Sequence, residues 1–511
     1  MSDSTTNGLV GHAPSAPAAA PPHDESYFPD FTVLHRFKTR KLRLRFSERK
    51  ILLGLGDIFC MNSAVFIYLV SRYAERPSEG SPLDYWPSFI SVSFLWILVN
   101  EFMESTKLAD AASYSASGWA ACRTALLTSV LFILIPFVSP IPTSRHQYIL
   151  LPSAAIYAVA FWRGIYLKLF ALRALYHRVL VVGAGVSGQR LIQDVRQVYG
   201  PGEKPGYLGG TWVVGFIDDD PKKQGTDVEG IPVIGAHRQL LELVRDHEID
   251  ELILAVSRPE KLSMPMFQAI CACREASVAV TAWHGFYEQV TGRVPVELAG
   301  QNLQMVMPLE SPRSPRFFMV CKRLVDIGVG LVGSLAVLAL IPLVWVVNRF
   351  TSPGPLFYTQ PRVGWGGLVF NVIKFRSMVV NAEQLTGGAV WAREDDPRTT
   401  PMGRFLRKSR LDEFPQFWNM LKGDMSLVGP RPERPEFVTQ LAKNIPFFRM
   451  RHAAKPGITG WAQVRYPYGA SEEDALAKLQ YDLYYIKHQS VFLEVRIILR
   501  TMMVCLGLRG R

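Results

Sequence analysis

The sequence predicts a membrane protein of mixed class, with a four-helix transmembrane bundle, a Rossmann-like parallel-sheet domain and a C-terminal α+β domain. Hydrophobic residues make up 49% of the 511 residues, a large share for a wholly soluble protein, and they cluster into blocks. After the first group of blocks, the chain alternates strand and helix patterns, which is typical of a parallel sheet. The length also indicates about three domains.

Two polar segments precede the apolar blocks. Residues 1–34 are rich in Ala, Pro, Ser and Gly, a composition that predicts a disordered tail. No signal peptide is expected, because the first apolar run comes too late in the chain. Residues 35–50 carry eight Lys or Arg against one Glu. Directly before an apolar block, such an arm indicates a cytoplasmic juxtamembrane anchor more than a solvated segment.

Four apolar blocks follow, and each approaches the ~20 residues that a transmembrane helix needs. They cover residues 51–71, 86–103, 119–140 and 148–172. The basic arm lies before them, and Lys168, Arg173 and Arg178 lie at their end, so both ends of the bundle are expected on the cytoplasmic side. Arm and bundle together form a predicted domain over residues 35–176.

Residues 177–320 are expected to form the Rossmann-like domain, with further strands in GFIDDDP, IDELILAVS and ASVAVTAW that alternate with helices. A buried strand, a glycine turn (Gly183, Gly185 and Gly188) and a helix follow in the order that a dinucleotide site requires. The three glycines are therefore candidate nucleotide-binding residues. The acidic run at 218–220 begins 30 residues beyond Gly188, whereas a ribose-binding acid is expected after ~20. A scaffold that keeps the geometry without binding a nucleotide is the favoured interpretation.

The C-terminal domain, residues 321–511, opens on a fifth apolar block at 324–347, in which only Asp326 is charged. At ~1.5 Å per residue this block could span a bilayer. A full span would place the rest of the chain on the side opposite the preceding domain. Pro342 interrupts the block and Arg349 follows it, so a kinked, re-entrant helix that enters the membrane and returns is favoured.

Three further elements are expected in this domain. The segment 352–378 predicts a turn and paired strands, and a helix is expected after GPRPERPEF to about residue 452. Residues 471–489 are strongly helical in pattern, with an acidic first turn.

Two adjacent acids, Asp412 and Glu413, are the candidate catalytic residues. Pro415 follows them and is tolerated in the first turn of a helix, so a helix is expected to begin at Asp412 or Glu413. Unpaired N–H groups and the helix dipole favour anions at such a start. Four basic residues lead up to it: Arg404, Arg407, Lys408 and Arg410. The pattern indicates a site for a phosphorylated substrate, and a structural capping box, Ser409-x-x-Asp412, is the alternative.

The net charge of +12 suits anionic lipid surfaces and phosphate-bearing substrates. Nucleic acid is not an expected partner, because the chain has neither zinc-ligand spacing nor an aromatic-basic reader motif. The six cysteines are scattered, and Cys271-x-Cys273 is one residue too short for a CxxC pair. Reduced, structural thiols are therefore expected.

Ordered motifs over residues 322–511 closely resemble the bacterial sugar transferase family, the polyprenol-phosphate phosphoglycosyl transferases. The motifs are KRLVD, SPGP, QPRVG, KFRSM, DPR, RLDEFPQ, GDMSLVGPRPE and KPGITGWAQV. The bundle and the Rossmann-like domain look like those of the large subclass, which initiates exopolysaccharide or O-antigen synthesis. Ile341-Pro342 stands where the family often has Ser-Pro, and LDEFPQ replaces LDELPQ; neither departure touches the chemistry.

The resemblance implies that a UDP-hexose and undecaprenyl phosphate give undecaprenyl-diphosphate-hexose and UMP. Asp412 is implied as the nucleophile that forms an aspartyl-phosphosugar intermediate. Asp412 and Glu413 are implied ligands of Mg²⁺, which can bridge a diphosphate. Five basic residues are implied to bind substrate: Lys374, Arg376, Arg398, Arg407 and, toward the nucleotide, Arg431. As alternatives, Lys374 and Arg376 could be solvated strand ends, and Arg398 could pair within its own loop.

The implied location is the bacterial inner membrane, in a multi-pass topology with the catalytic and Rossmann-like domains on the cytoplasmic face. A homodimer through the Rossmann-like domain is a further expectation. The RYPYGAS segment at 465–471 leans toward glucose-1-phosphate, with galactose-1-phosphate also compatible.

Two functions of other classes stay open as alternatives. A membrane-anchored nucleotide-sugar oxidoreductase would use the glycine turn, but no Tyr-x-x-x-Lys pair follows that turn within residues 178–320. A non-enzymatic scaffold would use the bundle to organise a polysaccharide export complex.

Overall fold

The computed structural model of the protein describes most of the chain. The described residues are 46–103, 114–135, 139–170, 177–199, 206–208, 211–256, 262–299, 306, 316–382, 396–466, 469 and 471–505. The predicted tail, 1–34, the first part of the basic arm, 35–45, and Arg173 lie outside the described residues.

The first four helices coincide with the four predicted apolar blocks. They are α1 (Phe46–Glu75), α2 (Trp86–Met103), α3 (Tyr114–Leu134) and α4 (Arg145–Phe170). Short 3₁₀ turns at Pro77–Glu79 and Pro82–Tyr85 connect α1 to α2. The four helices share one buried apolar core, which includes Met61, Trp96, Phe132 and Leu151.

Within the described residues, four helices are long and apolar enough to cross a membrane. The stretches are Ile51–Glu75, Pro82–Met103, Arg145–Tyr166 and Phe317–Thr351. The helix of the third predicted block is a shorter apolar stretch, Gly118–Leu134. Three of the four predicted spans, and the helix of the fifth apolar block, are therefore long and apolar enough to cross a membrane.

A buried ion pair joins the first and last helices of the bundle. The Arg163 Nε donates to Asp57 Oδ1 at 3.0 Å, and a terminal nitrogen of the same guanidinium donates to Oδ2 at 2.6 Å. Both side chains are almost fully buried. Charges in an apolar bundle are costly unless they are paired with good geometry, and this bidentate pair meets that condition while tying α1 to α4.

The middle of the chain forms a seven-stranded sheet in the order β4-β5-β3-β1-β6-β7, with β2 beside β3. The strands are β1 (His177–Val182), β2 (Tyr207–Leu208), β3 (Thr211–Ile217), β4 (Asp227–Val228), β5 (Ile231–Gly235), β6 (Glu251–Leu254) and β7 (Ala279–Ala282). The five strands β5, β3, β1, β6 and β7 run parallel, whereas β2 and β4 are antiparallel to their neighbours. The sheet is therefore mixed, and strands predicted from GFIDDDP, IDELILAVS and ASVAVTAW are confirmed.

Helices cover both faces of this sheet. They are α5 (Val186–Tyr199), α6 (Leu240–Asp246), α7 (Met264–Glu275), α8 (Trp283–Thr291) and α9 (Val296–Ala299). One apolar core contains α5 and α8, and a second contains α6 and α7. The first core continues into residues of the C-terminal part, such as Val438 and Leu479, so the two parts pack against each other.

The C-terminal part begins with α10 (Arg316–Thr351), one continuous helix of 36 residues that contains Pro342. An antiparallel hairpin follows, and then a run of short elements. These are β8 (Phe357–Val363), β9 (Val369–Phe375), α11 (Pro401–Lys408), α12 (Gln416–Lys422), β10 (Ser426–Val428), α13 (Pro435–Asn444), β11 (Gly457–Thr459), α14 (Trp461–Arg465), α15 (Glu472–Lys487) and α16 (Val491–Cys505). The predicted hairpin and the predicted helix over 471–489 are confirmed; the re-entrant path of α10 stays a prediction.

The helix expected to run to about residue 452 ends earlier, at Asn444. Pro446 follows, and the residue before a proline is disfavoured in the α region. Phe447 then has φ 61°, which breaks any helical continuation, and a 3₁₀ segment covers Phe448–Ala453. The sequence prediction of one long helix here was therefore wrong.

Two glycines let α10 and α12 approach each other closely. A Cβ on Gly333 would lie 2.3 Å from the ring of Phe417, and one on Gly330 would lie 2.8 Å from Leu421. We expect Gly333→Ala to lower the melting temperature of the full-length protein, because forcing a methyl group into a packed contact costs about 1–3 kcal/mol.

Gly328→Ala is the matched control on the same helix, because its Cβ would meet nothing within 4 Å. Replacement of a helical glycine by alanine at an open position is expected to stabilise by about 0.5–1 kcal/mol. Equal melting temperatures for the two variants, measured by a thermal shift assay in detergent, would show that the close approach of α10 and α12 does not contribute.

Candidate active site

The adjacent acids lie on a short 3₁₀ turn, Leu411–Glu413, between α11 and α12. Arg410 opens the turn in a left-handed conformation, with φ 56°, and α12 begins only at Gln416. The prediction that a helix begins at Asp412 or Glu413 was therefore wrong by about three residues. Pro415 lacks the N–H that the Leu411 carbonyl would accept in a helix beginning at Asp412. That carbonyl instead accepts the Phe414 N–H at 3.2 Å, which is the i→i+3 spacing of a 3₁₀ turn.

The capping-box alternative is also wrong. Ser409 is the C-cap residue that follows α11 rather than a helix N-cap, and its hydroxyl donates to the carbonyls of Phe405 at 2.8 Å and Leu406 at 3.2 Å. The Ser409 hydroxyl thus binds carbonyls in the last turn of α11 and does not cap the start of a following helix.

Glu413 is held by two cations. Lys374 Nζ, from β9, donates to Glu413 Oε1 at 2.8 Å, and Arg431, from the turn after β10, donates to the same oxygen at 2.6 Å. A second guanidinium nitrogen of Arg431 lies 3.4 Å from Oε2. Although burial raises the pKa of Glu413, the charges of Arg431 and Lys374 hold it well below its usual range. Glu413 is therefore an ionised carboxylate that positions both cations.

Asp412 differs from Glu413 in its partners. Among the described residues, none makes a hydrogen bond or an ion pair with the Asp412 carboxylate. Burial and the negative charge of Glu413 raise the pKa of Asp412 to about 6, while Lys374, Arg407 and Arg431 oppose that rise. The Asp412 carboxylate is thus half-buried, within the electrostatic influence of three cations and without a partner among the described residues.

The five candidate substrate-binding residues divide into two groups. Lys374, Arg407 and Arg431 all act on Asp412 electrostatically, and a guanidinium nitrogen of Arg407 donates to Thr399 Oγ1 at 3.2 Å. Arg376 instead donates to Asn348 Oδ1 at 3.0 Å and to the carbonyl of Ser352, both at the end of α10.

Arg398 is engaged within its own loop. Its guanidinium binds both carboxylate oxygens of Asp396, at 2.8 and 2.6 Å, and the carbonyl of Ala382 at 3.2 Å. The hydrogen bond from Arg398 is the main reason that the pKa of Asp396 falls to about 2. These contacts are those expected if Arg398 pairs within its loop.

Sequence reasoning missed a hydrogen-bond network that holds the backbone carbonyls of Arg431 and Pro432 in place. Arg451 donates to the carbonyl of Arg431 at 3.1 Å and to the buried carboxylate of Asp482 at 2.8 Å. Arg362, in the QPRVG motif, donates to the carbonyl of Pro432 at 3.0 Å. The only available signal was an acid, Asp482, on the apolar face of α15.

The glycine turn of the parallel sheet is closely packed. A Cβ on Gly183 would lie 2.8 Å from the carbonyl of Ala255, and one on Gly188 would lie 2.4 Å from the carbonyl of Gly183, whereas Gly185 has open space. Asp218 Oδ2 accepts the N–H of Ala184 at 2.9 Å. An anion bound at this turn would therefore lie beside the Asp218 carboxylate, part of whose charge is offset by Lys223 Nζ at 2.9 Å from the same oxygen.

The acidic pair offers a limited metal site. Within the described residues, no group of three or more His, Cys, Asp or Glu side chains could hold a metal ion. Mg²⁺ needs only one or two carboxylates when substrate phosphates and water supply its other ligands. Asp412 and Glu413 Oε2 fit that requirement. Among the described residues, Glu413 Oε2 lies 3.4 Å from a nitrogen of Arg431, whereas Glu413 Oε1 already accepts from Lys374 and Arg431.

Two family models match the chain. One, described as bacterial sugar transferase, matches residues 317–507, and one described as CoA-binding domain matches residues 108–274. The first includes the acidic pair and all five candidate substrate-binding residues.

Known proteins of similar sequence carry undecaprenyl-phosphate transferase names. The UDP-N-acetylgalactosamine-undecaprenyl-phosphate N-acetylgalactosaminephosphotransferase of Aeromonas hydrophila is 40% identical over 254 residues, which are 49% of this chain and 58% of that protein. The UDP-glucose:undecaprenyl-phosphate glucose-1-phosphate transferase of Xanthomonas campestris pv. campestris is 32% identical over 281 residues, 55% of this chain and 57% of that protein. The chain thus spans less than two thirds of the length of these two relatives.

A third relative is matched over more of its length. The UDP-glucose:undecaprenyl-phosphate glucose-1-phosphate transferase of Escherichia coli (strain K12) is 32% identical over 339 residues, which are 64% of this chain and 67% of that protein. With the family model over residues 317–507, this similarity identifies the chain as a member of the bacterial sugar transferase family.

Proposed function

We propose that the chain transfers a hexose-1-phosphate from a UDP-hexose to undecaprenyl phosphate and releases UMP, with Asp412 as the nucleophile. The observation that carries this proposal is the contrast between two adjacent acids. Glu413 is bound by Lys374 and Arg431, whereas the Asp412 carboxylate makes no hydrogen bond or ion pair with any described residue. A nucleophile needs a free electron pair and a site that brings the electrophile to it.

The reaction then has two displacement steps at one phosphorus atom. A carboxylate oxygen of Asp412 attacks the β-phosphorus of the UDP-hexose, a bond forms between that oxygen and phosphorus, and the bond to the bridging oxygen breaks as UMP leaves. A phosphate oxygen of undecaprenyl phosphate attacks the same phosphorus next. The bond to Asp412 breaks, the carboxylate is regenerated, and the product is undecaprenyl-diphosphate-hexose.

The cations around Asp412 make the first step possible. A diphosphate repels a carboxylate, so attack requires positive charge near both. Lys374 and Arg431 are held in place by Glu413 and lie close enough to oppose the rise in the pKa of Asp412. Arg407 acts on Asp412 in the same way. We assign these three residues to the phosphates of the donor, with Arg431 toward the nucleotide.

Asp412 and Glu413 Oε2 would hold Mg²⁺ together with the donor diphosphate. The ion, when bound, neutralises diphosphate charge and stabilises UMP as a leaving group. Arg376 and Arg398 have no part in this proposal, because their guanidinium groups bind the end of α10 and the loop acid Asp396.

The lipid acceptor is supported by the position of α10. This helix packs against the elements of the acidic pair, since Val337 and Val344 share a core with Leu406, Leu411 and Phe414. Its other face exposes large apolar side chains to the surroundings: Leu331, Leu335, Leu338, Leu343 and Trp345. A helix with this face suits lipid. We propose an inner-membrane location with the site on the cytoplasmic face, where soluble UDP-hexoses occur.

A panel of UDP-sugars tests the proposal and identifies the sugar. Full-length protein in detergent would be incubated with undecaprenyl phosphate, Mg²⁺ and UDP-glucose, UDP-galactose or UDP-N-acetylgalactosamine, and UMP release would be measured. We expect UDP-glucose to be preferred; the Aeromonas relative, named for N-acetylgalactosamine, makes the third donor a necessary arm. No acceptor-dependent UMP release with any UDP-sugar would overturn the assignment.

The rate should depend on pH through Asp412. Its pKa of about 6 in the folded protein is above the usual value of 3.8, so at pH 7 most Asp412 side chains are ionised and reactive. Below pH 6 the carboxyl group takes up a proton and loses its nucleophilic electron pair. We expect UMP release to fall about tenfold per pH unit below that value. A rate that stays constant between pH 7 and pH 5, in protein shown to remain folded, would contradict the assignment.

A further inference from the structure

Four arginines from three parts of the chain gather on aromatic side chains near the C-terminal helix. Arg465 Cζ lies 5.0 Å from the Trp461 ring centroid, and Arg500 Cζ lies 5.1 Å from the same centroid. Arg293 Cζ lies 4.7 Å from the ring of Tyr481. We call Arg293, Arg465, Arg496 and Arg500 the arginine cluster; it takes no part in the reaction described above.

Within the described part of the chain, Glu101 is the acid that the cluster meets, and its charge acts on Arg500 as well as on Arg496. Arg496 donates to Glu101, at the end of α2. The guanidinium groups of Arg293 and Arg465 make no hydrogen bond or ion pair with any described residue, and the Arg465 Nε is buried without a partner among them. Each guanidinium offers up to five donors in a planar fork. Unsatisfied donors of this kind, partly removed from water, are costly unless an acceptor is bound.

The lowered pKa values of two arginines also indicate that a bound anion would stabilise the cluster. Burial, followed by repulsion from Arg465 and Arg496, lowers the pKa of Arg500 to about 9. Burial also lowers the pKa of Arg465, with Arg496 and Arg293 adding repulsion. A bound anion would relieve this repulsion, since it attracts every member of the cluster.

The cluster lies where a membrane helix meets the C-terminal domain. Glu101 is near the end of the candidate membrane stretch Pro82–Met103, and it binds Arg496 on α16. Large apolar side chains of α16 are exposed beside it: Val491, Phe492, Val495, Met502 and Val504. An amphipathic helix of this kind suits the boundary between lipid and water.

We propose that the arginine cluster binds the phosphate group of an anionic lipid headgroup. Arginine forks match phosphate oxygens with two parallel hydrogen bonds, and the aromatic rings hold the guanidinium planes in place. Basic pockets beside membrane helices bind such headgroups. The shared chemistry is a phosphate anion, and the position at the end of α2 favours the lipid over a soluble source.

Native mass spectrometry of the full-length protein, titrated with phosphatidylglycerol or phosphatidylcholine, tests this site. We expect wild-type protein to prefer phosphatidylglycerol, and Arg465→Gln to weaken that binding about tenfold through loss of charge-assisted hydrogen bonds. Arg293→Gln should weaken it as well, and it guards against a folding defect specific to position 465. Arg349→Gln is the control, because Arg349 is an exposed arginine at the end of α10; binding should change by less than about twofold.

Three results would overturn the proposal. Unchanged phosphatidylglycerol binding by both cluster variants would show that the cluster is not the site. An equal loss in Arg349→Gln would show general attraction to an anionic surface. Stabilisation of wild-type protein by inorganic phosphate in a thermal shift assay, with no preference between the two lipids, would assign the cluster to a soluble anion instead.

Discussion

Asp412→Asn is expected to reduce UMP release by at least about a thousandfold, because the amide cannot form the acyl-phosphate bond on which the proposed reaction depends. The folded protein should tolerate the change. The Asp412 carboxylate has no hydrogen bond or ion pair among the described residues, so no partner is left unpaired. The melting temperature should therefore equal that of the wild type, or rise slightly because a half-buried charge is lost.

UMP release and melting temperature, measured for both the wild type and Asp412→Asn, together distinguish the functional alternatives. A non-enzymatic scaffold predicts no UMP release from either protein, and an oxidoreductase predicts a change in nicotinamide absorbance that does not depend on Asp412. Residual UMP release above about a tenth of the wild-type rate would rule out Asp412 as the essential nucleophile.

Glu413→Gln is expected to lower both activity and stability. Loss of its charge releases Lys374 and Arg431, which donate to the same Glu413 oxygen at 2.8 and 2.6 Å. Breaking a fully buried pair costs about 3–5 kcal/mol. The cost here should be about 2 kcal/mol, because the Arg431 side chain is 36% exposed and partly screened by water. UMP release should fall about a hundredfold, since the cations no longer have a fixed position near the donor phosphates.

Glu436→Gln provides the control for this second variant. Glu436 is 55% exposed and pairs with Arg434 at 3.4 Å, so the change should stay within about 0.5 kcal/mol in unfolding free energy. A melting temperature for Glu413→Gln equal to that of Glu436→Gln, measured by thermal shift, would contradict the structural role of Glu413. Glu413→Gln should also move the acid limb of the pH profile to lower pH, because the charge of Glu413 raises the pKa of Asp412.

Elements with a local signal were predictable from sequence. The hairpin of β8 and β9 and the helix α15 follow from strand patterning, turn residues and a capping box at Ser471. The acidic pair was recognisable because it combines two adjacent carboxylates, a proline and a basic approach in one short segment. The positions of α1 to α4 follow from the length of the apolar blocks alone.

Features that depend on tertiary contacts were not predictable. Lys374 is 39 positions before Glu413, and only the fold shows that it binds Glu413 and leaves Asp412 free. Arg398 resembles a substrate-binding residue in sequence, yet it binds Asp396 two positions away. The turn before α12 is closed by an i→i+3 hydrogen bond, from the Phe414 N–H to the Leu411 carbonyl, and a stripe of apolar residues does not distinguish such a turn from an α-helix.

Intact-protein mass spectrometry tests the central claim, a covalent phosphosugar on Asp412, most directly. Full-length protein would be mixed with a UDP-sugar and Mg²⁺ in the absence of undecaprenyl phosphate, and then digested to locate any adduct. The account predicts one hexose-phosphate on the peptide that contains Asp412, with one UMP released per protein. The adduct should be absent in Asp412→Asn and disappear from wild-type protein when undecaprenyl phosphate is added. UMP release that occurs only when the lipid acceptor is present, with no adduct at any time, would contradict it.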